Sequence, residues 1–390
     1  MKSTSKKSFY IIWGIRLIVS ILFIFSGLIK ANDPIGFSYK LVEYFDVFKL
    51  NFLNDYSVAI AIAICSLEII LGALLLFGFW SKKTIWGLLL LIIFFTFLTF
   101  YSAFFEVVTS CGCFGDAIPL TPWQSFTKDC ILLILIAILF YYKEQIKPLI
   151  KDFYTQSILT TCVIVVSIGF GVYTYNFLPI IDFLPYKSGN NLPSLMTIPE
   201  GESIDEYETI YVLKNKETNE TKKVGDKEYL QAEIWKDQSW EIVGDPETRL
   251  IKKGYQVPIS DLIISDINGV DHTNEIIENP EYNLIIVAYD INSANPDGLK
   301  KLNNLAQSAA EEYRIRTVIL TASTMQAVEK ATNGLDLFSE IFFVDAIPLK
   351  SMVRSNPGLM LLKNGTVIKK WHFHILPSIQ KLADKYLIEN

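Results

Sequence analysis

Three cysteines, Cys111, Cys113 and Cys130, lie within twenty residues of one another, the first two inside Cys111-Gly112-Cys113-Phe114-Gly115-Asp116. The thiolate is the reacting species in thiol–disulfide exchange, and two thiols separated by one residue form a pair that can cycle between dithiol and disulfide. Gly112 relaxes the backbone between them. Cys130 is placed to act as a third, resolving thiol. The same residues also admit a structural use, in which Cys111 and Cys113 are locked to each other or to Cys130. A structural disulfide rarely needs so short a ring, which favours cycling. Cys65 and Cys162 fall inside apolar stretches, where free cysteine packs as a small hydrophobe.

Arg16 and Glu68 are the charges set deepest in apolar sequence. Counted from opposite ends of their helices, their heights differ by only ~6 Å at 1.5 Å per residue, which an arginine side chain covers. Ionisable residues within a membrane are costly unless paired and suggest function by default. The pair is expected to act either as a clamp between the first two spans or in handling protons or a quinone. Lys128 and Asp129 fall near a membrane interface, where snorkelling accounts for them.

The elements that must carry these residues follow from composition. Of 390 residues, 51% are hydrophobic and 19% charged, which excludes a wholly soluble enzyme. No strongly basic patch occurs, so nucleic acid is excluded as a partner. Five apolar runs reach the roughly 20 residues needed to cross a bilayer: Phe9 to Ile29, Val58 to Trp80, Ile85 to Phe105, Trp123 to Tyr142 and Ile158 to Ile181. The fourth is polarised by Gln124, Lys128 and Asp129. The first is too long for a signal peptide and contains Arg16, so it reads as an uncleaved span. Lys2, Lys6, Lys7, Lys82, Lys83, Lys143, Lys147 and Lys151 fall on one side; Lys30, Lys40, Lys49 and Lys128 fall on the other. The positive-inside rule then puts the amino terminus in the cytoplasm, and Cys111 and everything after residue 182 outside. In a bacterium that is the periplasm, where disulfides persist.

Residues 183–256 read as a linker with a small β-rich insert, with strands at Glu208 to Lys214 and Thr221 to Val224. From 257 the pattern is regular. Strands are expected at Leu284 to Tyr289, Thr317 to Leu320 and Ile341 to Val344, and helices at Pro296 to Tyr313 and Thr324 to Thr332. A hairpin follows, turning at Asn364-Gly365, and an amphipathic helix closes the chain at Leu376 to Leu387. This order resembles the thioredoxin fold over residues 257–390, with Asn356-Pro357 where that fold carries its cis-proline. The resemblance implies a Cys-x-x-Cys after the first strand, but Asp290-Ile291-Asn292-Ser293 has no cysteine, so this half cannot exchange thiols by itself. His372 and His374 are too few ligands for a metal site, and His272 stands apart.

The membrane half resembles the DoxX/MauE superfamily of four-helix membrane proteins over roughly residues 8–145. The resemblance rests on Arg16, Ser26-Gly27-Leu28-Ile29-Lys30, Glu68-x-x-x-Gly72 and Cys111-Gly112-Cys113-Phe114-Gly115. The cysteine segment is similar to the MauE branch, which is associated with periplasmic disulfide formation during maturation of methylamine dehydrogenase. The expected organisation is a four-helix membrane domain at 1–150, a fifth span at 151–182, the linker at 183–256 and an α/β thioredoxin-like domain at 257–390. Two functions compete. In the first, Cys111 and Cys113 take electrons from periplasmic thiols, Cys130 relays, and a membrane quinone accepts them near Glu68 and Arg16; a periplasmic protein docks on the tail near Pro357. In the second, the chain is a non-catalytic anchor presenting a binding domain, and its cysteines are structural.

Overall fold

A computed structural model describes residues 6–108, 112, 114–332 and 336–387. Five helices are long and apolar enough to cross a membrane, at Phe9–Asn32, Asn51–Phe77, Ser81–Phe105, Pro122–Tyr141 and Phe153–Phe177. The first is part of α1 (Lys6–Asn32); α2 (Pro34–Val47) follows, then α3 (Ser57–Phe77), α4 (Ser81–Phe105), α5 (Pro122–Tyr141) and α6 (Phe153–Phe177). The protein is a membrane protein with a helical membrane region and a mixed α/β tail.

The helix ends are written locally. The Asp33 side chain caps α2 with Pro34 at its first position, and Thr121 with Gln124 forms a capping box ahead of Pro122 at the start of α5. The α3 helix ends on Gly78 in the left-handed region. The capped helix α2 occupies a stretch between the first two spans to which the sequence reading gives no element. The fifth span begins at Phe153 because Asp152 caps it, five residues before the first strongly apolar turn.

In the bundle, α1 packs on α3, α4 on α5, and α6 on α3. Val19, Phe23, Leu75, Ile85, Leu88, Ile92, Ile136 and Leu139 share one buried cluster, while apolar side chains such as Ile18, Ile21, Leu90, Ile131, Ile134 and Val165 remain exposed on the outer faces. Such faces suit lipid rather than water. The α1–α3 crossing is close because two glycines sit in it. A Cβ on Gly27 would fall 2.8 Å from the Cys65 carbonyl oxygen, and one on Gly72 would fall 3.0 Å from the Ile24 nitrogen. Small residues let membrane helices approach to this distance.

Past α6 the chain runs through the short α7 (Leu192–Met196) into a four-stranded antiparallel sheet. Its strands are β1 (Glu206–Asn215), β2 (Thr221–Gly225), β3 (Trp240–Ile242) and β4 (Glu247–Lys252), with α8 (Asp226–Gln231) inserted. After α9 (Thr273–Ile277) comes the larger tail unit: β5 (Tyr282–Val287), α10 (Pro296–Tyr313), β6 (Arg316–Thr321), α11 (Met325–Ala331), β7 (Glu340–Phe343), α12 (Ala346–Met352), β8 (Gly358–Lys363), β9 (Thr366–His372) and α13 (Ile379–Tyr386). Its sheet has the order β7-β6-β5-β8-β9; β5, β6 and β7 are parallel, and β8 and β9 antiparallel. The central strands are buried on both faces, with one apolar cluster on each side, as continuous Val/Ile/Leu runs require. The Asn356-Pro357 bond is cis.

Candidate functional site

The glycine-mediated crossing of α1 and α3 decides what meets inside the bundle. Lys30 is three residues past Gly27 and Glu68 four before Gly72, so each lies about one turn from its glycine. The Lys30 ammonium is paired with Glu68, and both side chains are almost wholly buried. Lys30 also lies 5.1 Å from the ring centre of Phe37 and 4.8 Å from that of Phe95, within cation–π range.

A second ion pair stands beside the first. Asp129, 1% exposed, pairs with Lys128 and accepts from the Thr99 hydroxyl at 3.1 Å. Tyr44 Oη and Ser102 Oγ are 2.7 Å apart. Ser26, Lys30, Tyr44, Lys128 and Asp129 line one cleft of about 30 Å³; Ser26, Glu68, Phe114, Lys128 and Asp129 line another of about 20 Å³. About 10–15 Å³ is enough for one water. The clefts therefore have room for one or two waters each.

The cysteine-bearing turn closes this cluster on the side that faces the tail. Cys111 and Cys113 lie outside the described residues, but their neighbours are placed. Gly112 O accepts from Gly115 N at 3.0 Å, and a Cβ on Gly112 would fall 3.3 Å from Lys40 Cγ. Phe114 packs against Phe25 with ring centres 5.7 Å apart, and Lys128 Nζ stands 5.4 Å from the Phe114 ring centre. The Lys40 stem and the Lys128 ammonium thus lie against the described parts of this turn, while the Lys40 ammonium pairs with Glu43 at 2.8 Å.

The sequence-derived residues separate into two places. Arg16 and Glu68 do not pair. Arg16 lies on the far side of the bundle, where Nε donates to Leu75 O at 2.8 Å, Nη2 to Leu76 O at 2.6 Å and Nη1 to Lys147 O at 3.3 Å. These carbonyls close α3 and the segment after α5, and helix-end carbonyls lack intrahelical donors. Height matching along two helices overlooked them. Fourteen residues separate Arg16 from Lys30 on α1, about 21 Å at the helical rise. A cavity of about 540 Å³ beside Arg16, lined by Phe9, Ile12, Trp13, Pro148 and Leu149, has room for a large apolar ligand, but the arginine is committed to backbone.

Cys130 is a free, half-buried thiol; it follows Asp129 on α5 but lines neither cleft. Cys65 is buried, as an apolar setting implies, whereas Cys162 is exposed on α6, on a face the bundle does not cover. Asp129 does not snorkel to water: it is buried inside the bundle. The α5 face formed by Ser125, Asp129, Leu132 and Ile136 turns inward, and that spacing of four, three and four was the available signal. Lys30 enters the sequence reading as a positive charge in the topology tally and as the end of the Ser26-Gly27-Leu28-Ile29-Lys30 motif, with no partner assigned to it.

The tail is seated on the same side as the cysteine turn. Asp290 O and Ser293 Oγ, in the segment without cysteine, accept from Asn356 Nδ2 at 2.7 and 3.1 Å. Pro357 is buried. Three residues earlier, Arg354 reaches into the membrane half: Nε donates to Asp33 Oδ2 at 2.7 Å, and Nη2 to Asp116 Oδ2 at 3.2 Å. Burial raises the Asp116 carboxyl above its usual range against the pull of Arg354. Lys370 pairs with Asp182, His374 Nδ1 lies 3.0 Å from Asn176 O, and the Asn32 amide bonds both N and O of Ile181.

Comparison with known proteins bears on the membrane half. Residues 8–142, about a third of the chain, match the family described as methylamine utilisation protein MauE. The chain is also 31% identical over 140 residues to Protein TlpB of Flavobacterium psychrophilum, a match covering 35% of this chain and 38% of that relative. The membrane half is therefore MauE-like, and the match takes in well under half of the curated relative's length.

Proposed function

We propose that this chain is a membrane thiol–disulfide exchange protein that takes electrons from thiols outside the cytoplasmic membrane at Cys111 and Cys113. The observation that carries the reading is the two ion pairs, Lys30–Glu68 buried on both sides and Lys128–Asp129 with its carboxylate buried, which gather beside Phe114, next in sequence to Cys113. In the working step, a thiolate of an outside dithiol attacks the Cys111–Cys113 disulfide, breaking its S–S bond and forming a mixed disulfide. The second outside thiolate then attacks that bond. The outside molecule leaves as a disulfide, and the pair is left as two thiols, having taken up two electrons and two protons. Lys128, whose ammonium stands over the Phe114 ring, is the cation nearest the described part of the turn, and the two clefts are large enough for water to link the turn to the carboxylates of Glu68 and Asp129. Cys130 is the proposed third thiol.

The membrane quinone pool would supply a two-electron, two-proton oxidant to restore the disulfide. Glu68 lies beside clefts of about 20 and 30 Å³, and Arg16 lies about 21 Å away along the helix with its donors on backbone carbonyls; no step is assigned to a quinone inside the bundle. The likeness to MauE supports membrane placement, and the lysine distribution supports a cytoplasmic amino terminus with the tail in the periplasm. The strand order of the tail and its cis Asn356-Pro357 bond support a thioredoxin-like reading of 257–390, here without thiols.

Thiol trapping tests the proposal. Cys111, Cys113 and Cys130 are alkylated in membranes with the quinone pool oxidised and then reduced, and each site is read by mass. The pair is expected to pass from disulfide to dithiol as the pool is reduced, and Cys113→Ser to abolish the change. A pair fixed in one state under both conditions would sink the exchange reading and leave the chain as a membrane anchor with structural cysteines and a partner-binding tail.

A further inference from the structure

Where the fifth span hands over to the tail, the chain encloses a cavity with a cationic wall. The strap at 178–188, which follows α6, forms one side and the edge strand β9 the other, with about 380 Å³ between them. That volume falls in the range of ~300–1,000 Å³ usual for small-ligand sites. Backbone hydrogen bonds fix the strap. Lys187 N donates to Leu184 O at 3.2 Å, Gly189 N to Val367 O at 2.7 Å and Val367 N to Asn190 O at 2.9 Å, so the chain lies along the free edge of β9. Leu184 and Tyr186 anchor it by burial.

Lys187, Arg354, Lys369 and Lys370 line the cavity, against the single carboxylate of Asp182. Two of these cations are buried and engaged. Arg354 donates to Asp33 and Asp116, which line a smaller cleft and not this one, and Lys370 pairs with Asp182 and donates to Met352 O at 2.9 Å. Asp182 also accepts from Leu184 N at 3.0 Å, so the carboxylate is taken. Lys187 and Lys369 are exposed, and among the described residues neither makes an ion pair. The uncompensated charge of the cavity is thus these two lysines at its mouth, which suit an anion. The rest of the wall says which anion. Ile180 and Ile181 follow α6 within a few residues of its end at Phe177, and both are exposed. The cavity therefore opens level with the end of a membrane span, where headgroups meet acyl chains. An inorganic anion makes no use of the isoleucines, and an acyl chain makes none of the lysines; a phosphodiester carrying glyceride chains uses both. We propose that this cavity binds the phosphate headgroup of an anionic phospholipid, with Lys187 and Lys369 on the phosphate and Ile180 and Ile181 beside its chains. A lipid held there touches both the strap and β9, and so fixes the tail to the bilayer surface.

The test uses the full chain in neutral detergent, titrated with phosphatidylglycerol in mixed micelles, with bound lipid counted by native mass spectrometry. Phosphatidylcholine and glycerol phosphate are the comparison probes. Near a membrane surface each lysine strengthens the hold on an anionic lipid roughly fivefold, so Lys187→Gln with Lys369→Gln is expected to weaken phosphatidylglycerol binding roughly 25-fold. Lys187→Arg with Lys369→Arg should keep it, and Lys82→Gln with Lys83→Gln, at the start of α4, should leave it unchanged. An unaltered thermal midpoint without lipid checks that the double variant is folded; should it fail to fold, Lys187→Gln alone is expected to lose roughly fivefold. Affinity within twofold of the parent in the glutamine variants, or equal binding of phosphatidylcholine, would overturn the proposal. Glycerol phosphate competing as well as the lipid would overturn the lipid assignment and leave a site for a soluble phosphate ester. Lipid counting reports nothing on the cysteines and thiol trapping nothing on this cavity, so the two proposals fail separately.

Discussion

Replacing Arg16 by methionine separates its structural from its chemical use. The structure gives the guanidinium three backbone carbonyls, two of them at 2.8 and 2.6 Å on the last turn of α3 and the third at 3.3 Å after α5. A hydrogen bond to a charged group contributes about 1.5–3 kcal/mol, so the two short ones together are worth about 3–6 kcal/mol. Arg16→Met keeps the apolar stem and removes all three. For a unit of this size the lower figure corresponds to a fall in thermal midpoint of at least about 6 °C. Arg16→Lys keeps the charge but not the fork and should lose about half as much. Gly78→Ala damages the same joint without touching the charge, since Gly78 has φ +71° and a Cβ there would fall 2.6 Å from Lys147 O and 2.8 Å from Arg16 Nη2. The assay is thermal unfolding of the solubilised full chain, followed by size-exclusion recovery, beside thiol trapping in membranes. A midpoint unmoved in Arg16→Met, with thiol cycling lost, would refute the clamp and return Arg16 to the chemistry.

Two further outcomes follow from the buried charges. Glu68→Gln strips Lys30 of its carboxylate inside the bundle and should destabilise by about 3–5 kcal/mol, whereas the double change Lys30→Met with Glu68→Leu should recover most of that loss; a double variant as unstable as the single would show that the pair holds the bundle together. His372 is 4% exposed, with burial foremost and the charge of His374 second in lowering its pKa to about 4. Its Nδ1 accepts from His374 N at 3.2 Å, which requires the unprotonated nitrogen. The unfolded chain takes up a proton near 6.5 and the folded chain only near 4, so stability is fully present above 6.5 and falls as the pH drops through that window. A melting profile flat between pH 7 and 4, or unchanged by His372→Asn, would contradict this.

What the sequence made legible depended on whether one chain segment or two determined the outcome. The spans are properties of single segments, and Phe9–Asn32, Ser81–Phe105 and Pro122–Tyr141 lie within a few residues of the runs read from hydropathy. The strand at Tyr282–Val287, the helix at Pro296–Tyr313 and the hairpin at Asn364-Gly365 were equally local. Two helices of intermediate character, Pro34–Val47 and Ala346–Met352, escaped because neither is long enough nor apolar enough to stand out. Partnership was the part that sequence could not supply. Glu68 is legible in the sequence as a charge deep in a span, yet its partner is Lys30 and not Arg16. The crossing that joins them is set by Gly27 and Gly72, and a glycine in a helix says nothing of which helix approaches it. Asp129 was dismissed on depth alone, although its helical face gave the opposite answer.

The two ion pairs pose the question that a purely structural account cannot answer. Burying Lys30, Glu68 and Asp129, with Lys128 half-buried beside them, in a bundle surrounded by apolar side chains costs several kcal/mol per buried ion before their attraction is counted. Well-packed hydrophobic residues in the same volume would serve stability as well or better. The first requirement of such a site, that every charge find a counterion, is met by Lys30 with Glu68 and by Lys128 with Asp129. On the far side Arg16 is met by backbone carbonyls rather than a counterion, and the apolar cluster of Val19, Phe23, Leu75, Leu88, Ile92 and Ile136 packs α1, α3, α4 and α5 together. The charges are concentrated where the Gly112–Phe114 turn comes down on the helices, together with Ser26, Thr99 and clefts of water size. A reaction that moves protons whenever a thiol pair changes state needs acceptors and water at that place, and a stable bundle does not. Under the proposed exchange reading it is the location of these charges beside the Gly112 and Phe114 segment, more than their number, that matters.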